Sequence, residues 1–146
     1  MKRIISVFMV LCLIVAMAPA VFATVEVEPD TSWYESGNYT LTDVNDLAGF
    51  AFLVNGGEDF YGETVTLGNS INCGGASLKP IGNEANEFNG TFNGNSCSIS
   101  NATVTNEGTS CLAGFFGNVG ENGEVKDFTL DGITVSNSSS DGEETS

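Results

Sequence analysis

The side chains able to carry chemistry here are acids without the partners that acid chemistry needs. Glu58-Asp59 and Asp127/Asp131 are the candidate carboxylate pairs. Retaining glycoside hydrolysis would need two such groups about 5 Å apart. A lyase acting on acidic polysaccharide would need a cation against the substrate carboxylate, and beyond Lys2 and Arg3 the chain offers only Lys79 and Lys126. There is no histidine, which removes His-based zinc sites, Ser-His-Asp triads and Cys-His nucleophile pairs together. Carboxylates with Asn and Gly carbonyls are hard-oxygen ligands suited to calcium, yet the chain has no D-x-D-x-D-G loop and no G-G-x-G-x-D repeat. The expectation is a chain that is not an enzyme and carries no cofactor, calcium being the one cation its composition would suit.

Aromatic side chains give the alternative. Trp33, Tyr34, Tyr39 and Tyr61 would stack on sugar rings in a secreted carbohydrate-binding module, since their rings present an apolar face and a polar edge. The competing reading lays Trp33 over one end of a core. Three cysteines follow the leader: Cys73, Cys97 and Cys111. Cys73 and Cys97 stand 24 residues apart, near the repeat length described below, so a disulfide between stacked positions is one expectation. A short loop closed by Cys97 and Cys111 is another, and inward cysteines acting as small apolar fillers are a third.

The elements around these residues begin with a leader. Lys2 and Arg3, the uncharged apolar run Ile4 to Ala18, and small residues Val21 and Ala23 before Thr24 form a secretory signal peptide over residues 1–23. Its removal takes the net charge from −15 to −17. Such an acidic chain has no cationic patch for nucleic acid or anionic lipid; the charge favours solubility outside the cell. No membrane span is expected after cleavage. The expected localisation is secreted or cell surface, in a bacterium. Four Asn-x-Ser/Thr triplets, at Asn38, Asn89, Asn101 and Asn137, are accounted for by composition.

Residues 24–38 read as an acidic, aromatic lead-in. Asp43 is a predicted helix N-cap with Asp46 completing a capping box. Val44, Leu47, Ala48, Ala51 and Val54 follow at helical spacing, and Asn55-Gly56-Gly57 ends the run. From Asp59 onward, strands of three to five residues alternate with Gly and Asn corners. They are predicted at 64–67, 70–73, 79–81, 90–92, 98–100, 103–104, 114–116, 125–130 and 133–135. Capping helix and strands together make a unit of residues 39–135, and residues 136–146 read as a disordered tail or linker. Ser98-Ile99-Ser100 to Val104 recurs as Glu124-Val125-Lys126 to Leu130, an offset of 26 residues, the mark of stacked coils.

The run Pro80-Ile81-Gly82, Phe88, Gly90-Thr91-Phe92, Gly94, Ile99, Asn101 and Gly114-Phe115-Phe116-Gly117 resembles the GLUG-type repeat module of exported bacterial proteins. Asn93 stands where that family has Asp, Ser96-Cys97 where it has Gly-His, and Phe115 where it has Leu. The resemblance implies a mainly β fold, a short right-handed parallel β-helix with an N-terminal capping α-helix. It further implies a non-enzymatic module for cell-surface attachment or display within a larger adhesin-like protein. The partners would be a host or cell-surface glycan or protein. The C-terminal coil would lack a second cap, so it is expected to be exposed and open to self-association or continuation.

Overall fold

The computed structural model describes residues 27–107 and 112–137. The leader 1–23, Cys111 and most of the tail therefore lie outside the described residues. Two helices, α1 (Ser32–Glu35) and α2 (Val44–Asn55), flank β1 (Thr40–Leu41). Seven strands follow: β2 (Thr64–Leu67), β3 (Ile71–Asn72), β4 (Ser77–Leu78), β5 (Thr91–Ser100), β6 (Thr103–Asn106), β7 (Glu124–Asp131) and β8 (Thr134–Asn137).

The chain is mainly strand, and each pairing between the named strands is parallel. One sheet runs β1-β2-β5-β7, with β3 also alongside β5; the other runs β4-β6-β8. The strands thus form four successive tiers: β1 with α2, then β2-β3-β4, then β5-β6, then β7-β8. Parallel bridges between Ile81 and Phe116 and between Phe88 and Val119 add to the contact between the middle tiers. Inward positions carry the large apolar residues, so Val65, Leu67, Phe92, Ile99 and Val104 are fully buried.

α2 forms where its caps and periodicity place it. The Asp43 side chain accepts from the backbone of Asn45 and Asp46, and the Asp46 carboxylate accepts from the Asp43 backbone, closing the predicted capping box. Asp46 is buried and also accepts from the Thr42 N–H at 2.7 Å and the Thr42 hydroxyl at 2.9 Å. Its charge is thus held by donors on the segment entering the helix. Leu47, Phe50 and Val54 point into the core at 1% exposure or less.

An aromatic column runs through the tiers. Trp33 stacks on Phe60 with centroids 6.2 Å apart, and Phe60 meets Phe50 edge-on at 5.4 Å. Phe50 stacks on Phe92 at 5.9 Å, and Phe92 meets Phe128 at 5.2 Å. Each such pair adds about 0.5–1.5 kcal/mol beyond the area it buries. Phe60 holds a left-handed backbone (φ 55°), a conformation uncommon for a bulky residue, with rings of this column on several sides.

Three expectations are corrected. The 26-residue echo is not the register of the last two tiers: Ile99 pairs with Leu130, 31 residues on, and Phe92 with Val125, 33 on. Spacings near 26 do hold earlier, where Leu41 pairs with Leu67 and Leu78 with Val104. The segments predicted as strands at 79–81 and 114–116 contribute only the single Ile81–Phe116 bridge, and the strand of that region is β4, two residues earlier. The predicted strands 90–92 and 98–100 are one strand, β5, bent where Asn95 and Ser96 take positive φ. There the Asn93 side chain accepts the Asn95 N–H at 2.9 Å and closes the turn.

Candidate functional site

Most residues of the repeat-like run lie in the core, against it or at close backbone approaches. Ile81, Phe88, Phe92, Ile99 and Phe115 lie in the core, and Phe116 packs against it. Gly82 turns the chain with φ +88°, and a Cβ there would overlap the Asn118 carbonyl. Gly94 lies so close to Phe128 of the next tier that any side chain would collide with it. Gly90 and Gly117 sit against the carbonyls of Phe60 and Gly82, and Gly114 beside that of Phe116. Thr91 faces Glu124 across the sheet.

Asparagines tie the corners between tiers. Asn55 donates to the Pro80 carbonyl at 2.9 Å and accepts the Gly82 N–H at 3.0 Å, while Asn118 donates to the Asn83 carbonyl at 2.9 Å. At another corner Asn101, with φ 55°, donates to the Asn72 side chain at 3.1 Å. The Asn55 and Asn118 bonds satisfy backbone groups that tight turns leave unpaired. Sequence reasoning marked Asn as a corner residue but missed the ladders, because their partners are 25 to 35 residues apart.

The four aromatic candidates separate. Trp33 lies over the core, 6% exposed, with one ring face against Phe60 and its indole N–H donating to the Asp30 carbonyl at 2.8 Å. Asp30 also accepts the Ser32 N–H at 2.8 Å, which holds its carboxyl below the usual range. Tyr34 and Tyr39 are half-buried and stack on each other at 5.8 Å. The Tyr34 hydroxyl donates to Glu58 Oε2 at 2.6 Å, and that bond beside a carboxylate pushes its pKa up to about 12. Tyr61 stands apart, 68% exposed.

The expected Cys73–Cys97 disulfide is also corrected: both are free thiols. Asn72 pairs with Ser100, which puts Cys73 level with Asn101, four residues along the strand from Cys97. At about 3.3 Å per residue that is far beyond the Cα separation a disulfide tolerates. Cys73 is buried, which raises its thiol pKa, leaving it as an inert apolar filler.

The candidate acids are scattered. Glu58 accepts from Tyr34, Asp59 accepts the Tyr61 N–H, and Asp127 and Asp131 sit at opposite ends of one half of β7. Among the described residues no group of three or more His, Cys, Asp or Glu could hold a metal.

Two surface features remain. A shallow apolar hollow of about 360 Å³ lies between Val27, Pro29, Ala48, Ala51, Phe52 and Leu78, with Phe52 63% exposed. The other is at β7 and β8. Leu130 is 42% exposed, Val135 47% and Val119 39%, and every residue of β8 is exposed. Among the described strands, β7 and β8 have neighbours on one side only.

The fold is that of a mainly β chain with parallel sheets, in which β7 and β8 are the outermost of the described strands. No family model matches the chain, and no solved structure matches it. A stretch of 63 residues, 42% of this chain, is 38% identical to part of Halomucin from Haloquadratum walsbyi (strain DSM 16790 / HBSQ001). The chain spans 1% of that protein's length. Among the described residues no helix is long and apolar enough to cross a membrane.

Proposed function

We propose that this chain is an exported, non-enzymatic coil module that contributes to cell-surface attachment or display as part of a larger adhesin-like protein. The coils would form a short right-handed β-helix of the GLUG type, with α2 as its N-terminal cap. One observation carries the reading: the repeat residues serve packing and corners, leaving outer faces of Thr, Ser, Asn and acidic side chains. Such faces build a surface for contact rather than a reaction centre. The acidic charge of −15 and the partial similarity to Halomucin support an address outside the cytoplasm.

Protease shaving tests this. The tagged full chain, produced in an exporting host, should be recovered from the envelope or medium and removed from intact cells by external protease. Retention inside the cell would overturn the reading. A glycan panel run on the same material tests attachment to sugars, with Tyr61→Ala as the relevant variant because Tyr61 is the exposed member of the aromatic set.

A further inference from the structure

Composition accounts for the number of Asn-x-Ser/Thr triplets, but the fold treats them unequally. Three lie wholly among the described residues: Asn38-Tyr39-Thr40, Asn89-Gly90-Thr91 and Asn101-Ala102-Thr103. The one at Asn137 continues outside them. Such a triplet accepts N-linked sugar only on a surface segment, where a transfer enzyme can reach the amide and draw the chain into its own groove.

Asn38 is exposed in the turn after α1, next to Gly37 at φ 71°. Its backbone N–H donates to the Trp33 carbonyl at 3.0 Å, and its carbonyl accepts the Thr40 N–H at 2.7 Å. The Thr40 hydroxyl donates to Asn38 Oδ1 at 3.0 Å, so the hydroxyl two residues on already lies against the amide. Among the described residues Asn38 Nδ2 has no hydrogen-bond partner. Thr40 belongs to β1, which among the described strands pairs with β2 alone. The triplet therefore sits at a sheet edge.

The other two triplets are tied into the stack. Thr91 is paired on both sides, with Thr64 and Glu124, and Thr103 with Ser77 and Thr134. Asn89 Nδ2 donates to Glu87 at 3.2 Å, and Asn101 Nδ2 donates to Asn72 Oδ1 at 3.1 Å. Using either amide would mean opening two strand pairings and breaking its side-chain bond. We propose that Asn38 is the acceptor of an N-linked glycan transferred from a polyprenyl-diphosphate oligosaccharide. Asn38 Nδ2 bonds to C1 of the first sugar, and the bond from C1 to the diphosphate oxygen breaks. Polyprenyl diphosphate leaves, and the amide proton passes to a base of the transferase. The proposal rests on the export reading above, because such transfer accompanies passage across a membrane.

The folded full chain is incubated with a purified oligosaccharyltransferase that accepts Asn-x-Ser/Thr and with polyprenyl-diphosphate chitobiose, then mapped by peptide mass. Occupancy at Asn38 should exceed that at Asn89 and Asn101 at least about tenfold, because those two need local opening. Asn38→Gln and Thr40→Ala should abolish the Asn38 glycan, and Thr40→Ser should keep it. Free peptides of residues 36–42, 87–93 and 99–105 should all accept the sugar, which makes the fold the source of the selection. An unmodified Asn38 in the folded chain, equal occupancy at Asn89 or Asn101, or the same ranking among the free peptides would overturn the proposal. Retention of the chain inside the cell in the shaving assay would leave this transfer unchanged, so the two readings fail separately.

Discussion

Ile99 and Leu130 stand opposite each other in the parallel pair β5–β7, yet Ile99 is fully buried and Leu130 is 42% exposed. The same sheet position is core in one tier and surface in the next. Ile99→Ala should therefore destabilise by about 2–4 kcal/mol, and Leu130→Ala by less than about 1 kcal/mol. Urea unfolding of both variants measures the difference; equal losses would mean the last tier is covered.

Gly94 contacts Phe128 where β5 bends. Gly94→Ala should cost about 1–3 kcal/mol by overpacking, and the effect should centre on the fourth tier. Hydrogen exchange would show faster opening of β7 than of β2 in that variant.

Asp46 gathers the backbone N–H groups of Thr42 and Asp43 and the Thr42 hydroxyl. Asp46→Ala strands those donors at a buried site and should cost about 2–3 kcal/mol. Asp43→Ala, losing a cap on the exposed side, should cost about 1 kcal/mol. Thermal melts of the two variants give the ranking.

Tyr34 and Glu58 define an alkaline response. The folded pKa of Tyr34, raised from 10.0 to about 12, lies above its unfolded value. The stabilisation is therefore complete below pH 10 and lost as pH rises through about 12. Ultraviolet titration should show a tyrosine step near pH 12 that Tyr34→Phe or Glu58→Gln abolishes. A titration unchanged by either substitution would break the link.

Much of this fold was readable from local signals. α2 follows from Asp43, Asp46 and the apolar spacing up to Val54, all within one segment, and β2 matches its predicted bounds. β4 escaped because two residues carry no period, although Ala76-Ser77-Leu78 parallels Ala102-Thr103-Val104 at the spacing of 26 that pairs them. Register between the last tiers was illegible for a different reason. Ile99 aligns with Val125 by sequence likeness but pairs with Leu130, because intervening loops differ in length. Trp33 and Cys73 were ambiguous because burial depends on neighbours distant in sequence, such as Phe60 for the former and β5 for the latter.

That uneven loop length has a use. Leu78 pairs with Val104 and Ile81 with Phe116, so three steps along one tier correspond to twelve along the next. Pairs on either side keep their register nonetheless, Val104 with Val135 and Phe88 with Val119. The entropy of a longer loop rises only slowly, by about 0.6 kcal/mol per doubling. Unequal spacing between paired positions is thus absorbed between the strands, and the scaffold does not require coils of one fixed length.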